Sequence, residues 1–143
     1  MHTILHPADR ALLRVLLIGS VSGASLALAD WLQQRERVAV AGPVAATAAV
    51  DALAAAHRPQ VVVLDVDGLA VPLGKYISQL KTLAPPPTLI VLACDASDAL
   101  RRHCYGAGVD VVFAKTKDLE GLANLLAVLH RSLEAGVSAA SVP

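Results

Sequence analysis

The sequence predicts a doubly wound α/β domain, a five-stranded parallel sheet with helices on both faces. Three observations predict it. Five short runs rich in Val, Leu and Ile recur along the chain, and segments with helical spacing separate them. The runs are also apolar at nearly every position, as strands covered on both faces must be. They are Val15–Ile18, Val38–Ala41, Val61–Leu64, Leu89–Leu92 and Val109–Phe113. Ser22 is placed to cap a first helix reaching about Glu36, with Leu26, Ala29 and Leu32 facing inward and Trp31 as its packing anchor. Ala45–His57 forms a second helix and stops before Arg58-Pro59, because the residue preceding a proline disfavours the helical conformation. Leu73–Leu83 forms a third, closed by Pro85-Pro86-Pro87. Ser97 caps a fourth, which ends near Tyr105-Gly106 with glycine at the terminus. Leu119, Leu122, Leu126, Leu129 and Leu133 recur at steps of three and four and mark the last helix. Right-handed crossovers then distribute the helices over both faces.

Bulk properties narrow the function classes. The 143 residues are 55% hydrophobic and 17% charged with zero formal net charge, so one domain with a full core is expected. Neither a basic footprint nor aromatics (3%) for base stacking is available, which argues against a nucleic-acid partner. Cys94 and Cys104 have no metal-ligand spacing and read as reduced packing residues of a cytoplasmic protein. Arg10, Arg14 and the apolar stretch ending Ala27-Leu28-Ala29 imitate a secretory signal, but its removal would delete the first strand. Gly42-Pro43 and Asp51 interrupt the longest Ala/Val run, so no membrane span is expected. The division is an N-terminal extension over 1–13, a domain over 14–134, and a flexible small-residue tail over 135–143.

In a doubly wound sheet, function collects at the carboxyl ends of the central strands, near the point where strand order reverses. Asp65 closes the third run and Lys115 follows the fifth, so both project from that edge. A carboxylate there can accept a phosphoryl group, and a nearby ammonium can neutralise phosphoryl oxygens. The plainer reading is an ion pair at the sheet edge. Asp67 stands two residues on, either as a site neighbour that could help hold a metal or as a turn former before Gly68. The loop Gly19-Ser20-Val21-Ser22-Gly23-Ala24-Ser25 offers a rival, a small nucleotide- or anion-binding protein, although neither the phosphate-loop nor the dinucleotide glycine pattern is met. His103 has no second ligand at metal spacing and reads as a surface residue.

Over roughly Arg14 to Ser132 the sequence resembles the receiver domains of two-component response regulators, most closely the NarL/FixJ type. The resemblance rests on Val40-Ala41-Gly42, the Pro59 to Leu64-Asp65 run, Gly106-Ala107-Gly108 with Asp110, and Lys115-Thr116. It implies a flavodoxin-like (βα)5 fold, Asp65 as phosphoacceptor candidate, and Lys115 as the residue that contacts the phosphate. It further implies protein partners, a histidine kinase or a downstream regulator, and a dimer surface on the fourth helix, fifth strand and last helix, where Leu125 reads as exposed. The departures are specific. The two acids that hold Mg²⁺ in the family are Gly19 and Ser20, the hydroxyl after the fourth strand is Ala93, and the aromatic switch position is Val112. Leu69 and Thr116 stand where prolines are usual. With only Asp65 and Asp67 to supply carboxylates, Mg²⁺ is a doubtful ligand and no cofactor is expected. The chain therefore reads as an atypical stand-alone receiver that works by protein–protein interaction, with weak or no phosphorylation, and not as an enzyme.

Overall fold

The computed structural model describes residues 12–46 and 49–140, and for 136–140 the backbone alone. Ten elements alternate strictly: β1 (Leu13–Ile18), α1 (Gly23–Gln33), β2 (Val38–Val44), α2 (Val50–His57), β3 (Val61–Asp65), α3 (Leu73–Lys81), β4 (Thr88–Ala93), α4 (Asp98–Ala107), β5 (Val111–Ala114) and α5 (Leu119–Ala140). All strand pairs are parallel, in the order β2-β1-β3-β4-β5. The expected five-stranded doubly wound fold is what the chain adopts. Strand order reverses between β1 and β3, which places the crevice over Gly19 and Asp65.

Two apolar layers flank the sheet. Leu16, Ile18, Val62, Leu64 and Val91 face α2, α3 and α4, packing on Ile77, Leu80 and Cys104. Val15, Leu17, Val63, Ile90 and Leu92 face α1 and α5, packing on Leu28, Leu32, Leu122 and Leu126. The alternation follows from the two-residue period of strand side chains, and burying both sets makes the central strands apolar throughout.

Several element limits differ from the sequence reading. α1 turns Ser25, Leu28 and Leu32 inward and leaves Leu26 about half exposed, because the buried line runs in steps of three and four from the Ser22 cap. Ser22 caps reciprocally with Ser25: the Ser25 N–H donates to Ser22 Oγ at 3.2 Å and the Ser22 N–H to Ser25 Oγ at 2.8 Å. Trp31 is only partly buried and carries the Arg35 guanidinium 4.5 Å above its ring, while fully buried Leu32 anchors the helix. β2 continues past Gly42-Pro43 to Val44, and α2 starts at Val50 rather than Ala45, residues 47 and 48 lying outside the described residues. α3 ends at Lys81, and α4 ends at Ala107, with Gly108 rather than Gly106 as its left-handed cap. Cys94 is exposed and Leu125 packs half-buried against the core; among the described residues, Val128 is the large apolar side chain that α5 exposes. The backbone of α5 stays helical to Ala140, four residues beyond Gly136. The expected extension over 1–13 lies outside the described residues up to residue 11, and the tail does so from 141.

The β2 strand shows how tightly the sheet is fitted. Gly42 has φ +112°, and a Cβ there would overlap the Leu17 carbonyl oxygen, where the β1–β2 register shifts. Gln33 of α1 meanwhile spans the outer side of β2, donating to Val38 O at 3.4 Å and accepting from the Val40 N–H at 3.1 Å. Gly42→Ala is expected to cost about 2–3 kcal/mol through strain and overlap. Gly23→Ala, at the open first position of α1, should stay within about 1 kcal/mol of the parent or exceed it. Urea unfolding of the two variants checks both.

Candidate functional site

Three strand ends converge at the carboxyl edge. β3 delivers Asp65, whose side chain is almost fully buried, and β5 delivers Lys115 immediately after Ala114. Lys115 is held to β4 by its backbone, its N–H donating to Ala93 O at 2.9 Å. Its ammonium lies 2.7 Å from Asp65 Oδ1 and 2.8 Å from Asp67 Oδ2, so one cation bridges two carboxylates. The loop is fixed as well. The Asp67 N–H donates to Asp65 Oδ1 at 3.1 Å, and Asp67 Oδ2 accepts from the Cys94 N–H at 2.8 Å.

Asp67 shapes the turn and also joins the Lys115 ion pair, a role the sequence did not indicate. Gly68 follows it with φ +76°, and the Leu69 N–H closes a turn onto Val66 O at 3.1 Å. The same turn carries the Asp67 carboxylate back to Lys115. Burial works to lower the Lys115 pKa, but hydrogen bonds and charge attraction from Asp65 and Asp67 outweigh it and hold the ammonium above its usual range.

Gly19 and Ser20 sit beside this cluster without adding charge. A Cβ built on Gly19 would lie 3.0 Å from Asp65 Cβ and 3.3 Å from Asp65 O, so the backbone itself packs on the aspartate. Ser20 lies over Gly68, with its Oγ 3.3 Å from where a Cβ on that glycine would stand. The donor set does not fit the Mg²⁺ that the sequence resemblance implies. It offers two carboxylates, both already drawn to Lys115, against a cation that wants oxygen ligands in octahedral array. Where a third acid would enter at position 19, the chain is pressed against Asp65.

The serine-rich loop spends its polar groups locally. Ser22 and Ser25 satisfy each other, and the Leu26 N–H donates to Ser22 O at 2.9 Å, which leaves few first-turn donors for an anion. Ala93 and Val112 are both buried. The Val112 N–H donates to the Tyr105 hydroxyl, and its carbonyl accepts from Arg101 Nη1, both at 3.0 Å. Neither Tyr105 nor Arg101 stood out in the sequence, because their i, i+4 spacing on α4 acquires meaning only once β5 lies beside them. Asp118 was likewise missed, although an Asp before the apolar Leu119 helix is a readable cap; its Oδ2 accepts from the Ala114 N–H at 2.9 Å. His103 is exposed, as expected. Among the described residues, no group of three or more His, Cys, Asp or Glu could hold a metal, and no helix is long and apolar enough to cross a membrane.

Lys115→Met leaves buried Asp65 without its cation and is expected to cost about 2–4 kcal/mol in urea unfolding. Since the folded pKa of Lys115 exceeds the unfolded value of about 10.4, its contribution is complete below that pH. It is lost as pH rises through the folded value. The difference in stability between parent and variant should thus be constant at pH 7–9 and shrink only on further alkalinisation.

No protein-family model matches the chain, and no curated protein is similar to it. Solved structures are. A putative pilus assembly-related protein from Burkholderia pseudomallei superposes with TM-score 0.67 at 18% identity, covering 91% of this chain and 96% of that one. A DNA-binding response regulator of the LuxR family from Staphylococcus aureus gives 0.63 at 16%, covering 82% and 99%. The BeF3-activated receiver domain of DrrB gives 0.61 at 24%, covering 86% and 98%; DrrB is a Thermotoga maritima response regulator. At these identities the likeness establishes the fold: the chain has the flavodoxin-like architecture of response-regulator receiver domains.

Proposed function

We propose that the chain is an atypical receiver, of the NarL/FixJ type in sequence, that acts in two-component or related signalling by docking to other proteins in the cytoplasm. Phosphorylation of Asp65 is weak or absent, and the chain is a binding module rather than a catalyst. The observation that carries this reading is the Lys115 ammonium between Asp65 and Asp67, with the Gly19 backbone packed on Asp65 where an acid would otherwise stand. Phosphoryl transfer proceeds largely by positioning and charge neutralisation, so a site without a metal-binding acid pair lacks a principal contribution.

The output face supports the same reading. In the family resemblance, an aromatic residue on the fifth strand reports phosphorylation. Here that position is Val112, and β5 is pinned to α4 by Tyr105 and Arg101. Arg101 also lies 3.8 Å from Asp118 at the start of α5. A face fixed in this way suits a partner, a histidine kinase or a downstream regulator, that binds one constant shape. Tyr105 and Val128, each 45% exposed, are the apolar contacts it offers to a partner or to a second copy.

A working phosphoacceptor is the second reading, favoured by the 2.7 Å approach of Lys115 to Asp65. The full chain incubated with acetyl phosphate or beryllofluoride, with and without Mg²⁺, separates the two by intact mass and melting temperature. The expected result is no phosphoryl mass gain and no Mg²⁺-dependent shift in melting. A gain or shift that Asp65→Asn abolishes would establish the phosphoacceptor instead.

A further inference from the structure

We infer that the opposite, amino-terminal edge of the sheet carries a binding site for a small organic oxyanion, a phosphate or carboxylate attached to an apolar body. A cavity of about 640 Å³ opens there, within the size range of small-molecule sites. Arg14, near the start of β1, lines it together with Arg58 and Gln60, which precede β3. Ala54, Leu83 and Pro86 supply the apolar wall.

The arginines are arranged rather than merely present. Gln60 holds the Arg14 backbone, its side-chain Oε1 accepting from the Arg14 N–H and its own backbone N–H donating to Arg14 O, each at 2.9 Å. Arg14 Nε donates to Arg58 O at 2.8 Å, where α2 ends. That bond engages one nitrogen of the guanidinium and leaves the terminal pair without an acceptor among the described residues. A guanidinium held in this way presents the planar fork that carboxylates and phosphates match with two hydrogen bonds.

Arg58 itself stands at φ +46°, in the left-handed position that usually falls to glycine after a helix. A long charged side chain at a position where glycine would relieve the backbone is more than the helix end requires. Among the described residues, no carboxylate pairs with Arg14 or Arg58 and no Asp or Glu lines the cavity. Two cations in one concavity without a counter-charge are complementary to an anion, and the adjoining alanine, leucine and proline surface to whatever carries it. The inference is independent of Asp65, which lies at the other end of the strands.

Titration of the full chain at low salt with inorganic phosphate, AMP and benzoate, followed by amide NMR, tests it. AMP or benzoate should shift the amides of Ala54, Arg58, Gln60 and Leu83, and do so at lower concentration than inorganic phosphate, which lacks an apolar body. A response to AMP alone identifies a phosphate ester, and one to benzoate alone a carboxylate; both support the site. Arg58→Gly should weaken binding about tenfold or more while melting no lower than the parent, since glycine relieves the left-handed backbone. Arg14→Gln should weaken it similarly. No shift at these amides with any probe, shifts confined to Ser22 and Lys115, or affinity unchanged in both variants would overturn the inference. None of these results bears on phosphorylation of Asp65.

Discussion

Burial of the central strands on both faces is the constraint from which the rest of the molecule follows. Val62, Val63 and Leu64 of β3 and Leu89 through Leu92 of β4 are wholly shielded from water. A strand so placed can hold no polar side chain along its length, since an unpaired buried polar group costs several kcal/mol. Helices must then cover both faces, and right-handed crossovers fix which helix goes where. Polar chemistry is displaced to the strand ends, where the chain first regains room for it. Asp65 is the first polar residue that β3 can carry, and it is still almost completely buried.

The burial of Asp65 explains the form of the site around it. A carboxylate at that depth needs a partner, and Lys115 reaches it from beyond β4. The ammonium then draws in Asp67, and Asp67 in turn accepts from the Cys94 backbone, so the ends of β3, β4 and β5 are tied by one group of charges. One ammonium offsets only one of the two carboxylate charges, so the cluster keeps a single net negative charge. Gly19 and Ser20 pack beside this cluster and add no charge to it.

The fold was legible because its signal is repeated. Five apolar runs at regular spacing, with Ser22 and Ser97 as helix starts, define the architecture even though single boundaries slip. The slips have local causes. Leu26 and Leu28 both suit an apolar stripe, and only the Ser22 cap sets the phase that buries one and exposes the other. Gly42-Pro43 reads as a break, but β2 is an edge strand and tolerates a residue without an N–H. Asp65 with Lys115 was legible because both fall at strand ends on the same edge. The second role of Asp67 was not, since a turn and an ion pair leave the same trace in sequence. Tyr105 and Arg101 were invisible for a related reason: their partner is a backbone, and backbone acceptors carry no sequence signature.

Those two side chains and Gln33 have a joint consequence for how the protein behaves in a crowded solution. An open parallel sheet ends in two strands whose outward N–H and C=O groups invite any extended chain to add itself. On β5, Tyr105 and Arg101 occupy the N–H and C=O of Val112; on β2, Gln33 occupies those of Val40 and Val38. Both margins are thus sealed at their centres by side chains from the neighbouring helices. A sequence this rich in valine and leucine would otherwise be a hazard for ribbon-like aggregation. An extended chain adding to either margin would first have to displace these side chains from the backbone groups they occupy.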